Sequence, residues 1–230
     1  MDQSKQSGLE WRDGDVPISL RFDDPYYSLD NGLAETRHVF LAGNDLPQRF
    51  RDGFHIAELG FGTGLNLLAA VQAWRQAGVE GQLRFTSFEA FPLAADDMIK
   101  AQAAFPEVSD IAQELAPFWQ EGSTHIDLPW LRFDLIVGDA RETLPAWDGA
   151  ADAWFLDGFS PAKNPELWNA DLMAAVGRKT AQQGTAATYT AAGFVRRGLE
   201  DAGFTVTRVP GYGRKRHMTR AVFGGGDADK

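Results

Sequence analysis

Apolar and polar positions change their period several times along the chain. Phe54 to Leu59 is apolar enough for a buried strand, and Leu65 to Trp74 then carries a helical spacing. The switch recurs. Leu83 to Phe88, Arg132 to Val137, Asp152 to Leu156 and Thr185 to Thr190 read as strands. Pro92 to Ala103, Pro106 to Trp119, Glu166 to Lys179 and Ala191 to Ala202 read as helices between them. Phe204 to Val209 and His217 to Phe223 close the pattern as two strands with a short connection, hence antiparallel. Strands alternating with helices predict an α/β fold with a mostly parallel, seven-stranded sheet and an antiparallel last strand.

Before the first sheet strand the pattern differs. Ile18 to Phe22 reads as a short strand, and Asp23 to Tyr27 as a turn dense in acids and aromatics. Asp30 or Asn31 is placed to cap a helix running to about Leu41, with Gly43-Asn44 as its stop. Residues 16–50 are therefore expected to be an N-terminal extension of one domain spanning 16–223. Residues 1–15 read as a flexible leader and 224–230 as a disordered tail.

The first predicted strand runs straight into Gly60, Gly62 and Gly64, and a helix follows. Strand, glycine bend and helix form the nucleotide-cradling unit of an open α/β sheet. Glycine suits it because the backbone must turn sharply and approach a ligand closely. A dinucleotide fingerprint needs Gly-x-Gly-x-x-Gly, but Leu65 stands where its last glycine should be. Instead an acid, Glu58, precedes the glycines. Glu58-x-Gly-x-Gly-x-Gly64 resembles the first motif of class I S-adenosylmethionine (SAM) methyltransferases, whose ligand has a cationic methionine end that a carboxylate suits. The plain alternative is a tight turn with no ligand.

Composition narrows the chemistry. The 230 residues include no cysteine, so disulfides, thiolate metal sites and cysteine nucleophiles are excluded. Enzymes that methylate the uridine ring carbon directly use a cysteine adduct. An acceptor that is already nucleophilic, such as an amine, fits better. His38, His55, His125 and His217 have no ligand spacing, and no metal is expected. No apolar run reaches the length of a membrane span, and the first residues lack an apolar signal core, so the reading is cytoplasmic with no membrane partner. The net charge of −10 argues against tight, nonspecific nucleic-acid binding, though not against a local basic patch.

In such sheets ligands sit across the C-terminal ends of the strands. Glu58, Glu89, Asp139 and Asp157 all fall there. Glu89 is expected to bind ribose hydroxyls, and Asp139 with the Ala140 backbone to read the adenine edge. Each can equally serve as a helix N-cap. Asp157-Gly-Phe-Ser-Pro161 lies where amino-group methyltransferases keep an Asp/Asn-Pro-Pro-aromatic motif. Asp157 there can orient an amine, and Phe159 can pack against the ring that carries it. Arg214-Lys215-Arg216, between the last strands, reads either as a phosphate contact or as a solvated turn.

The resemblance extends over most of the chain. The segments Phe22 to Tyr27, Gly32 to Phe40 with Gly43-Asn44, Glu58 to Asn66, Phe88 to Pro92, Gly138 to Ala140, Asp157 to Trp168 and Gly213 to Arg216 resemble the methyltransferase half of the MnmC family and its stand-alone relatives. That resemblance implies a Rossmann-like, class I SAM-dependent methyltransferase fold. It implies SAM-dependent methylation of the 5-aminomethyl group on the wobble uridine of tRNA, giving 5-methylaminomethyl-(2-thio)uridine. Gly60, Phe61, Gly62, Gly64, Asn66, Glu58, Glu89, Asp139, Ala140 and Asp157 would then face the cofactor. Asp157 and Phe159 would be catalytic. Asp24, Tyr26, Arg214, Lys215 and Arg216 would meet tRNA. A flavin-dependent oxidase domain or protein would supply the aminomethyl substrate. No second glycine fingerprint is present, so FAD is not expected here.

Overall fold

The computed structural model describes residues 8–12, 16–28 and 31–224. Leu9–Arg12 (β1), Val16–Ser19 (β2) and Asp24–Pro25 (β3) form a small antiparallel sheet. Gly32–Thr36 (α1) follows. Its cap is Asn31, whose side chain accepts from the Ala34 N–H at 2.9 Å. Asp30, the other candidate cap, lies outside the described residues, as do most of the leader and tail. The helix widens into a π turn, Arg37–Leu41, and tightens into a 3₁₀ turn, Ala42–Asn44.

The main sheet begins with His55–Leu59 (β4), followed by Leu65–Ala77 (α2) and Leu83–Glu89 (β5). Ala95–Gln102 (α3), Ser109–Gln120 (α4), His125–Leu128 (β6), Leu131–Val137 (β7), Ala140–Ala146 (α5) and Ala151–Leu156 (β8) come next. Ala170–Arg178 (α6), Thr180–Thr188 (β9), Gly193–Asp201 (α7), Phe204–Pro210 (β10) and His217–Phe223 (β11) complete it. Strand order is β10-β11-β9-β8-β4-β5-β7-β6. β4 pairs in parallel with both β5 and β8, and β5 with β7, so the chain reverses direction across the sheet between β4 and β8. A crevice opens at such a switch point. β11 runs antiparallel to both its neighbours.

The sheet has eight strands rather than the expected seven. The extra one, β6, pairs antiparallel with β7 at the edge. Only Ile126 of its four residues is buried, too little burial to show as a periodic pattern. Leu9–Arg12, read as leader, is likewise a strand, with Leu9 its one buried residue. The helix expected over Glu166 to Lys179 is broken into a 3₁₀ turn, Pro165–Trp168, and α6. Asn169 makes the break by capping α6, its side chain accepting from the Leu172 N–H at 2.8 Å.

Each sheet face carries a core. Ile56, Phe85, Phe133 and Phe155 pack under α2, α4 and the N-terminal extension. Ala57, Leu59, Phe88 and Trp154 pack under α5, α6 and α7. Asn44 pins the extension to the sheet. It is fully buried, donates from Nδ2 to the Phe40 and Trp154 carbonyls at 2.9 and 3.3 Å, and accepts from Thr185 Oγ1 at 2.6 Å. Asn44→Ala strands these partners in the core and is expected to cost about 1–3 kcal/mol. A denaturant titration should show a lower midpoint with an unchanged slope.

Candidate active site

The bend after β4 is built for close approach. Gly60, Gly62 and Gly64 have φ of 87°, 53° and 75°. A Cβ on Gly60 would stand 2.8 Å from the Asp157 carbonyl oxygen, so this glycine lets the ends of β4 and β8 meet. A Cβ on Gly62 would stand 3.1 Å from the Tyr26 ring. Gly64 in the left-handed region starts α2 and so aims Asn66, in its first turn, back beneath the bend.

Asn66 joins three elements. Its Nδ2 donates to Glu58 Oε1 and to Asp157 Oδ2, each at 2.8 Å. Its Oδ1 accepts from Thr36 Oγ1 at 2.8 Å. Glu58 is fully buried and also accepts from Ser87 Oγ at 2.6 Å. Burial holds its carboxyl well above the usual range, opposed by the hydrogen bonds from Ser87 and Asn66. Asp157 also accepts from the Gly158 N–H at 2.8 Å. Burial raises its pKa to about 6, opposed by the hydrogen bonds from Asn66 and Gly158.

A cavity of about 850 Å³ opens over these strand ends, within the range of small-molecule sites. Asp157, Phe159, Glu89, Asp139, Ala140, Gly60, Phe61, Gly62, Asn66, Asp24, Tyr26, Arg214 and Lys215 line it. Three expected residues do not. Glu58 lies beneath the floor, because its place in β4 points it into the core. Gly64 faces Phe61 and Gln102. Arg216 sits outside on the hairpin. Two more have partners the sequence does not reveal. Asp139 caps α5 and is clasped by Arg141, whose Nη2 lies 2.5 Å from Oδ2; that hydrogen bond holds its carboxyl below the usual range. Lys215 donates to Glu35 at 2.7 Å and sits 4.1 Å over the Tyr189 ring.

Glu89 is held open. Its Oε2 accepts from the Gly62 N–H at 3.1 Å and Oε1 from the Phe91 N–H at 2.8 Å. A carboxylate has about four lone-pair sites, so two remain for a ligand. The acceptor end is walled by the extension. Phe22 stacks on Phe159 at 4.7 Å, and Tyr26 meets it edge-on at 5.0 Å. Asp24 accepts from the Ser160 N–H at 2.8 Å, and Lys163 binds Asp23. Burial, then the Glu89 charge, push the Tyr26 phenol up to about 12. Tyr189 donates to the Gly158 carbonyl at 2.7 Å. Thr36, Glu35 and Tyr189 were missed in the sequence reading. Only the aromatic and acidic crowding of residues 22–27 hinted at a wall.

A family model described as S-adenosyl-L-methionine-dependent methyltransferase matches residues 106–223. The chain belongs to the S-adenosyl-L-methionine-dependent methyltransferases. A tRNA 5-methylaminomethyl-2-thiouridine biosynthesis bifunctional protein MnmC of Caulobacter sp. (strain K31) is 48% identical across 98% of this methyltransferase. The MnmC of Pseudomonas aeruginosa (strain UCBPP-PA14) is 46% identical across 100%. The chain spans only 40% and 37% of the lengths of these two relatives. Among solved structures, MNMC2 from Aquifex aeolicus superposes with a TM-score of 0.75 and 25% identity, over 96% of this chain and 72% of that one.

The cavity combines a glycine bend, the half-engaged carboxylate of Glu89 and an aromatic wall. Among the described residues no group of His, Asp or Glu is placed to hold a metal ion, and no helix is long and apolar enough to cross a membrane.

Glu89→Ala is expected to weaken SAM binding by roughly 1.5–3 kcal/mol, the worth of charged hydrogen bonds, as read by calorimetry. Glu58→Gln keeps the side chain's shape at a buried position outside the cavity lining, so SAM affinity should stay within a few-fold of wild type. A loss as large as that of Glu89→Ala would show that Glu58 meets the donor directly.

Proposed function

We propose that this methyltransferase N-methylates the 5-aminomethyl group of the wobble uridine in tRNA, giving 5-methylaminomethyl-(2-thio)uridine. The observation that carries the reading is Asp157, a carboxylate at the end of β8 that lines the cavity and is steered by two donors. The names of relatives similar to this chain along nearly its whole length support the tRNA substrate.

SAM supplies an electrophilic methyl group on a sulfonium. Glu89 is assigned to its ribose hydroxyls, the bend from Gly60 to Gly62 to its backbone-facing side, and the Asp139–Ala140 turn to its adenine. Asp157 accepts a hydrogen bond from the neutral acceptor amine and so aims the nitrogen lone pair. Orientation of this kind is worth several powers of ten in rate. A nitrogen–carbon bond forms as a sulfur–carbon bond breaks, and the nitrogen loses a proton to Asp157 or to water. Phe159, fixed between Phe22 and Tyr26, frames the uridine ring. An FAD-dependent oxidase domain or protein would supply the aminomethyl substrate, and such a reaction belongs in the cytoplasm.

A second reading has one observation in its favour. The chain carries a net charge of −10, and acids line the cleft, which suits a small or protein-borne cationic amine. Labelled SAM distinguishes them. Label in the aminomethyl base of tRNA supports the first reading, and none there rejects it. Turnover of a free amine, indifferent to added tRNA, supports the second.

Asp157→Ala should lower kcat by about 10²-fold or more while SAM affinity is kept. Turnover of the native chain should fall below about pH 6 as Asp157 protonates. Stability should move oppositely. The folded-state pKa lies above the ordinary 3.8, so protonation favours the fold. This contribution is complete below that ordinary value and is lost as pH rises through about 6. A pH–rate profile beside thermal melts at matched pH checks both signs.

A further inference from the structure

The first turn of α7 and the tip of the β10–β11 hairpin lie at the same end of the sheet. β9 runs out of the sheet at Thr188, and α7 starts at Gly193. β10 is antiparallel to β11, and β11 is antiparallel to β9, so β10 leaves the sheet at the same end. The hairpin tip and the start of α7 therefore share one end of the sheet, and α7 packs along β10, which carries Arg208. This is also the end at which the cavity opens, since Tyr189, Tyr212, Gly213 and Arg214 line it.

Two things at this corner are unused by the fold or the site. The first is Phe194, a large apolar side chain left 46% exposed. The buried face of α7 is Val195, Gly198 and Leu199, so packing does not need Phe194. Arg197 stands three residues on and shares its helix face. The second is a set of uncompensated guanidiniums. Among the described residues, Arg197, Arg208, Arg214 and Arg216 make no ion pair, although the chain as a whole is strongly acidic. His217 lies among them: slight desolvation, then the charges of Arg208 and Arg216, push its pKa down. Lys215, by contrast, is already neutralised by Glu35.

We propose that this corner docks single-stranded RNA next to the modified nucleoside, Phe194 stacking a neighbouring base and Arg197, Arg208 and Arg216 meeting flanking phosphates. An aromatic face amid cations is how base stacking and backbone charge are read together. The inference rests on the tRNA reading and locates its contact surface.

The test is binding of an anticodon stem-loop RNA to the full chain across a salt series, with SAM affinity as the control for folding. Phe194→Ala should weaken RNA binding roughly 5- to 100-fold, the worth of one lost stack, while Phe194→Trp restores it. Arg208→Ala and Arg216→Ala should each lower the salt slope by about 0.7–0.9, the worth of one phosphate contact. SAM affinity should not move. Wild-type RNA affinity and salt slope in all three alanine variants would overturn the corner while leaving the tRNA reading intact. A native chain that neither binds the stem-loop nor labels tRNA would overturn both.

Discussion

One side-chain amide lies between two acids, and the ends of three elements are arranged around it. Asn66 gives one Nδ2 hydrogen to Glu58 and the other to Asp157. Two ionised carboxylates sharing one neutral donor in a buried place would repel strongly. The environments separate them. Glu58 is sealed in the core, where burial raises its pKa well above the usual range. Asp157 has a second donor in the Gly158 N–H, reaches the cavity and is ionised at neutral pH. Driving apart the pKa values of neighbouring acids is how a protein assigns them different tasks. The arrangement needs β4, β8 and α2 to converge. Gly60 permits that, because any Cβ there would collide with the Asp157 carbonyl.

The same amide explains why the N-terminal extension belongs to the site. An open sheet offers a ligand the ends of its strands but no roof. Here Thr36 reaches Asn66, Glu35 holds Lys215, and Phe22 and Tyr26 enclose Phe159. Asn44 and Arg49 fasten the base of the extension to β8 and β9, Arg49 donating to the Thr185 hydroxyl and the Asp152 carbonyl. One side of the cleft thus comes from the sheet, and much of the other from residues that precede its first strand.

This division tracks what was legible in the sequence. Strand period, the glycine bend and acids at strand ends are local signals, and they located β4, β5, β7, β8 and the sheet-end lining of the cavity. Side-chain direction within the strand was not local. Glu58 was read as facing the donor; the structure places it buried beneath the cavity, held by Ser87 and Asn66. Lys215 looked like its arginine neighbours, yet a carboxylate 180 residues away in sequence claims it. Glu35 and Thr36 lie inside the family-like segment Gly32 to Phe40, but nothing in that segment marks either as a site residue. Their roles arise from where α1 docks, which no short window of sequence contains. β6 escaped because an edge strand with one buried residue has almost no periodicity to detect.

Charge placement bears on how an acidic chain could meet the polyanionic substrate proposed for it. Beyond about 8–10 Å, ordinary salt screens most of the interaction between exposed charges. The net charge of −10 therefore says little about any one contact. Near the cleft, Asp24, Glu35, Glu89 and Asp157 favour a cationic amine and disfavour phosphate. A nucleic acid must then meet its cations beside the opening rather than within it. Lys215 reduces the negative field at the rim by pairing with Glu35, and the guanidiniums of the adjoining corner keep their charge uncompensated. Under the proposed reading, separating amine-seeking acids from phosphate-seeking cations by a few residues of hairpin would let one surface address both ends of the same nucleotide.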